Sequence, residues 1–590
     1  MKRPPASDGW FDNDSLAMRT ASGTARWLLD VAEWRRLHLD LWRTITALLL
    51  LLVGLGLASS AATIDSYLHR GVEAGTERPY VVQPTGKELA TNADLRVFPE
   101  EQVPSVAEAL SASGFRYVRQ PFMWSQIEPT RGSYEWSAYD LLVEQLARHD
   151  IGLIAVVSDS PDWARDDGSP GTSDAPPRDP AAFQAFTETL TARYADAVPF
   201  VQIWDRPNIT DRWGGESASG SSFLPVLSAG FNGARAGNPD ARVLTPELAV
   251  TSDLPGGSGD LAFLDELYRA NGNAFFDVLA VQLDGGDYSP DDRRVSPDRV
   301  NFSRAILFRD LMLDYGDRTT PVWATSYGWA TSEQISREEQ AEFVARGMHR
   351  NWSEWPWMGL TVQWSFFSPV DSPGASYAMV LPNGAATPLY RRLSSSAMEE
   401  RAAIANTGFA PMTSRSVSYT GNWQDQPLEG RTFKTSRRVQ STATMEFQGT
   451  GVTAFIRSGP EVGRFLVTVD GKVIPGGGGQ SGEEWDLSFF SATNDYPREL
   501  VSGLDDERHT ITITLVSPGG LTLGGMVVER DAPFVWPVIL MTVGAILMLF
   551  FALRSVASLV AVRAGHLRRR DDGLSPPFPT MPHWQPSRRA

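Results

Sequence analysis

Two uncharged apolar runs bracket this chain and constrain it more than anything between them. Residues 44–64 are Leu-rich and carry no charge, and at 1.5 Å per residue they are long enough to cross a bilayer. Residues 534–553 form a second such run. Arg35, Arg36 and Arg43 precede the first run, while Arg554, Arg563 and Arg568 to Arg570 follow the second. The positive-inside rule then puts both ends in the cytoplasm and residues 65–533 outside. The expectation is a two-pass protein of the cytoplasmic membrane with the bilayer as one partner. Small residues from Ala58 to Ala62 leave a cleaved signal peptide as the alternative, with an n-region unusually long for one.

The chain has no cysteine, which excludes disulfides, thiolate zinc sites and thiol nucleophiles. An exterior domain without disulfides must rely on a large apolar core. The net charge is −17, and it becomes −23 once the fourteen basic and eight acidic residues of 1–43 and 554–590 are set aside. So acidic a middle argues against nucleic acid as a partner. The seven His are scattered, and no Gly-rich loop precedes a helix, so neither a metal nor a cofactor is expected.

Between the runs the texture changes once. Short apolar strands are expected near 89–95 and at 115–119, 151–157, 200–204, 241–248, 276–282, 321–325 and 359–364, with helical patterns such as 139–148, 181–194 and 337–350 between them. Eight strands alternating with helices predict an α/β fold, a (β/α)8 TIM barrel, whose chemistry sits at the C-terminal strand ends. Beyond about residue 406, period-two runs at 442–447, 452–456, 465–470 and 509–515 predict an all-β, jelly-roll-like sandwich. The expected order is a cytoplasmic segment 1–43, a transmembrane helix 44–64, a linker 65–84, the barrel 85–405, the sandwich 406–533, a transmembrane helix 534–553 and a basic cytoplasmic tail 554–590.

The barrel stretch carries a legible series of motifs. Gly114 to Arg119 is followed by Trp124, Ile127-Glu128-Pro129, Gly132, Tyr134, Trp136 and Asp140, then by Pro161-Asp162-Trp163-Ala164. Later come Trp204-Asp205-Arg206-Pro207-Asn208, Phe276-Asp277-Val278 with Gln282, Pro321 to Trp329, and Trp364. In this order the series resembles the retaining clan-A glycoside hydrolases. Their fourth strand ends Trp-Asn-Glu-Pro-Asn, and their seventh carries Thr-Glu-Phe-Gly-Trp. The sandwich, with Gly459-Pro-Glu-Val-Gly463 and Val469-Asp-Gly471, resembles the galactose-binding-like modules often attached to glycosidases.

The resemblance places Arg206 at the family's acid/base position and Ser326 at its nucleophile position. Retaining hydrolysis needs a protonated acid and an ionised carboxylate roughly 5–5.5 Å apart. A guanidinium stays protonated and cannot cycle as an acid, and a serine hydroxyl needs a neighbouring base. No catalytic residue is therefore assigned. Asp159, Asp162, Asp205, Glu247, Asp284 and Asp371 are the carboxylates that could stand in. Asp205 is expected to face away from Arg206, because neighbouring strand residues alternate.

Aromatic faces stack on pyranose rings, and Arg, Asn, Gln and Asp bind hydroxyls. Arg119, Trp124, Trp163, Asn208, Gln282, Asp284, Tyr327, Trp329 and Trp364 are the candidate sugar-binding residues, with core packing as the alternative for each aromatic. Arg206 faces either the ligand or a salt bridge with Asp205, Asp284 or another carboxylate, which would fill the old active site and make the barrel a pure scaffold. The leading expectation is an inactive glycosidase-like protein that binds an envelope or extracellular polysaccharide. A hydrolase with relocated acids and a docking component for a membrane partner in glycan synthesis or export are the alternatives.

Overall fold

A computed structural model describes residues 70–530 apart from 166–173, 216–217, 251–258, 371, 373, 429–430, 477–481 and 492; beyond these it describes chiefly two terminal helices. Asp371 and most of the two segments expected to be cytoplasmic, 1–43 and 554–590, lie outside the described residues. The chain divides into two compact units, one of residues 70–532 and one of the two ends.

In the larger unit, eight strands run in parallel: β1 Leu89–Asn92, β2 Tyr117–Met123, β3 Gly152–Ser158, β4 Phe200–Ile203, β5 Arg242–Leu244, β6 Leu279–Asp284, β7 Val322–Gly328 and β8 Met358–Gln363. Each overlaps the strand expected from the sequence. Their lateral order is β5-β4-β3-β2-β1-β8-β7-β6. A parallel bridge between Leu244 and Val278 joins the two ends, with the Thr245 amide donating to the Val278 carbonyl at 3.1 Å. The sheet is therefore a closed (β/α)8 barrel, which leaves no strand edge exposed. Long helices such as Pro180–Arg193, Gly220–Gly237 and Arg337–Glu354 wrap it. The last begins at a Ser336/Glu339 capping box, which satisfies two amides the first turn would leave unpaired.

Strand alternation sorts the side chains. Ala90, Ile154, Phe200, Leu244, Ala280, Trp323 and Leu360 fill the lower interior, with the Phe200 and Trp323 rings 4.8 Å apart. Two residues after Ala90, Tyr117, Phe200 and Ala280, the inward side chains are polar: Asn92, Arg119, Gln202 and Gln282. A dry floor thus sits beneath a polar layer. The outward side chains join a separate, larger core between barrel and helices.

Residues 408–529 form two antiparallel six-stranded sheets enclosing a core of their own, as the period-two runs predict. Residues 73–87, expected as linker in large part, pack on the barrel's lower end. There Gln83 donates to the carbonyls of Pro356 and Trp357, and Lys87 to those of Asn351 and Trp355.

In the smaller unit one described helix, Leu48–His69, is long and apolar enough to cross a membrane. The apolar stretch found in the second, Thr542–Arg554 within Val535–Asp571, is shorter, so the described residues contain one span-length segment where two are expected. Much of the start of the second run, 534–538, lies outside the side-chain description. A Cβ on Gly544 would lie 3.9 Å from Ala58 Cβ and 4.0 Å from the Gly54 carbonyl oxygen, so small residues let the two backbones approach.

Candidate functional site

The polar layer at the C-terminal end of the barrel is a network of charges. Arg119, from β2, donates from Nε to Gln202 at 2.9 Å and from Nη1 to Asn92 at 2.8 Å. Its Nη2 sits 2.6 Å from Asp205 and 3.9 Å from Glu247. Arg206 Nε lies 3.3 Å from Asp205 and 3.9 Å from Glu247. Thr325 donates to Glu247 at 2.9 Å. Two guanidiniums and two carboxylates therefore interlock where the strands of a TIM barrel present their functional groups.

The expectation that Asp205 and Arg206 face opposite ways is wrong. The β4 ladder ends at Ile203, and Trp204 and Arg206 adopt left-handed backbone, φ 69° and 51°. Alternation holds only in extended chain, so the kink brings both side chains to one side. Asp159 and Ser365, at the ends of β3 and β8, also have positive φ, 66° and 92°. Four non-glycine residues in this region cluster at one mouth, and such strain persists only where its surroundings enforce it.

Burial by itself would raise the Asp205 carboxyl, but the Arg206 and Arg119 charges outweigh it and hold it below the usual carboxylate range. Glu247 goes the other way. Burial raises it, Asp205 adds to the rise, and Arg119, Arg206 and the Ser326 hydroxyl do not cancel the two. Burial also pushes Asp159 up to about 7, against hydrogen bonds from the Ser125 amide and hydroxyl.

Above the cluster, the Arg206 guanidinium carbon sits 5.6 Å from the centre of the Trp364 ring. Trp364 stacks on Tyr377 at 4.4 Å, and the Tyr377 hydroxyl donates to Asp284 at 2.5 Å. A continuous chain of contacts thus runs Arg119–Asp205–Arg206–Trp364–Tyr377–Asp284. Gln282 is in register with Ser326 and makes no side-chain hydrogen bond to a described residue. The structure therefore brings together Arg119, Arg206, Gln282, Asp284, Ser326 and Trp364. Trp163 is half-buried at the rim, its indole donating to the Glu128 carbonyl at 2.9 Å.

The other candidates are core residues. Trp124 is fully buried, stacks on Phe186 at 5.4 Å and donates to Glu128. Tyr327 points outward and donates to the Val344 carbonyl of helix Arg337–Glu354, as alternation from the inward Ser326 requires. Trp329 is fully buried against Gly285 and donates to the Tyr288 carbonyl. Asn208 ties two loops together through both the amide and the carbonyl of Ala249. Reading by motif missed Asn92, Gln202 and Tyr377. For the first two a signal was present: each stands two residues after an inward apolar residue, Ala90 or Phe200.

What fold and site define together is a closed α/β barrel with an ion cluster at the mouth and an aromatic platform beside it. No protein-family model matches the chain, and no curated protein matches it. Among solved structures it is similar to a family 39 glycoside hydrolase from Bacteroides cellulosilyticus WH2 (16% identity, 74% of this chain and 82% of that one, TM-score 0.44). It is also similar to a monomeric beta-xylosidase from Caulobacter crescentus CB15 (13%, 74% and 98%, TM-score 0.41). A family 39 enzyme from Xanthomonas axonopodis pv. citri matches at 15%, over 77% and 96%, with TM-score 0.40.

Proposed function

We propose that this chain is a membrane-anchored, glycosidase-like protein that binds a glycan at the barrel mouth and does not cleave it. The observation that carries the reading is the Arg119–Asp205–Arg206–Glu247 cluster, in which Arg119 and Glu247 are buried. A general acid must reach the glycosidic oxygen. Glu247 and Asp159 have no solvent exposure, and Asp205 is tied to both arginines. What the mouth offers a sugar is the Trp364–Tyr377 platform, Gln282, and the Arg206 terminal nitrogens, which bond to no described residue.

One observation favours a second reading. Asp205 held low and Glu247 pushed high is the polarity of a nucleophile and its acid. Arg119 bridges them, however, and an acid sealed from the mouth has no route to substrate. Full-length protein in detergent should show no turnover of aryl glycosides. It should bind a member of a soluble glycan panel at least tenfold more tightly than Trp364→Ala does. Turnover abolished by Asp205→Ala would sink the binding-only reading.

Anchoring rests on the two apolar runs and their flanking arginines. Because the chain lacks cysteine, a single introduced one reports topology without background. In intact cells a membrane-impermeant maleimide should label Glu101→Cys and leave Ser587→Cys unlabelled; the reverse pattern would overturn the orientation.

A further inference from the structure

The sandwich carries a second concavity, unrelated to the barrel mouth. It has a volume of about 350 Å³ and is lined by Gln426, Thr435, Arg437, Arg457, Thr493 and Thr522 among others, a size in the usual range for a small-ligand site. One rim is the loop of residues 458–463, held by backbone bonds. The Ser458 amide donates to Asn494, Gly459 to Leu487 and Gly463 to Gly520, while Gly520 donates back to Glu461. Gly459, at φ 142°, takes a backbone conformation that side chains disfavour, and a Cβ there would press on Thr493 at 3.1 Å. The rim is thus built in advance of any ligand.

The charges within it do not balance. Arg437 pairs with Glu461 at 3.2 Å, an exposed pair that solvent screens. Arg457 is half-buried and makes no side-chain hydrogen bond or ion pair with a described residue. A guanidinium presents five donors in a planar fork that matches a carboxylate bidentately. In a chain of net charge −17, a polar pocket with one surplus positive charge is a local exception. Around it stand hydroxyl and amide groups, with Thr435 and Thr522 already in contact at 2.8 Å. Among the described residues no aromatic ring lines the pocket, so recognition would come from hydrogen bonds and charge and not from stacking.

We infer that this pocket binds a single acidic sugar residue through its carboxylate, with Arg457 as the bidentate anchor and the Thr and Gln side chains taking ring hydroxyls. One surplus positive charge matches a carboxylate's single negative charge better than the nearly double charge of a phosphate. This does not depend on the barrel's role, because no barrel residue lines the pocket.

The test is ligand-observed NMR titration of the full-length chain in detergent with methyl β-D-glucuronide, methyl β-D-glucoside and glucose 6-phosphate. The glucuronide should bind at least tenfold more tightly than the glucoside and more tightly than the phosphate. Arg457→Gln should weaken it at least tenfold, with Arg457→Lys intermediate because it keeps charge and loses the fork. Binding should also weaken from 0.05 to 0.5 M salt, a comparison on unmutated protein that holds even where a variant fails to fold. Equal binding of glucuronide and glucoside, wild-type affinity in a folded Arg457→Gln variant, or indifference to salt would each overturn the inference, and tighter binding of the phosphate would overturn the choice of carboxylate.

Discussion

Replacing Arg119 by alanine should cost the barrel about 3–5 kcal/mol, the scale for removing one partner of a buried ion pair. Its side chain is 8% exposed and holds Asp205, Gln202 and Asn92 at once, so truncation strands three acceptors and leaves Glu247 with one of its two cations at 3.9 Å. At roughly 2–4 °C per kcal/mol, the barrel transition should fall by about ten degrees in thermal unfolding. Arg206→Ala should cost far less, about 1 kcal/mol, because its side chain is 21% exposed and its one hydrogen bond within the cluster is 3.3 Å long. The contrast separates two roles: Arg119 organises the cluster, while Arg206 faces the mouth. Equal losses for the two would make Arg206 a structural plug and remove it from the binding site.

Asp159→Asn should stabilise the protein at pH 8 and have little effect near pH 4. The folded carboxyl sits at about 7, above the ordinary aspartate value, so the folded state holds a proton that the unfolded state releases. Stability from this group is complete below the unfolded pKa and is lost as pH rises through about 7. A shift of this size corresponds to about 4 kcal/mol at most, at 1.36 kcal/mol per unit. Asparagine is neutral at every pH, and its carbonyl oxygen can still accept one of the two bonds from Ser125. Denaturant midpoints for wild type and variant should therefore converge at pH 4 and separate between pH 5 and 8. Parallel curves would show that Asp159 titrates alike in the folded and unfolded chain. Asp205 has the opposite sign. Held low by two arginines, its contribution is present above the unfolded aspartate pKa and fades as pH falls below it.

How much of the site was legible varies residue by residue, for physical reasons. Trp364 comes to the mouth because it continues the inward row Leu360 and Val362 past the end of β8. Tyr327 and Trp124 mislead because an aromatic has the same sequence signature whether it faces a sugar or a helix. Only the partner surface decides, here the Val344 carbonyl and the Phe186 ring. Asp205 misleads because alternation assumes extended backbone, and the left-handed turns at Trp204 and Arg206 are encoded in no single side chain. Glu247 could be suspected as a carboxylate near a strand end, but not as a sealed one.

The alternation of apolar strands with helices determined the barrel by itself, since closing eight such units is the way this pattern buries both faces of its sheet. The switch to period two likewise determined the sandwich, and the absence of cysteine removed whole classes of chemistry. Tertiary structure alone decided how the charges were spent. Arg119, Asp205, Arg206 and Glu247 come from β2, from the end of β4 and from the segment after β5, up to 128 positions apart along the chain. Burial raises one acid and two cations depress the other only because barrel closure sets them within 4 Å of the same guanidinium.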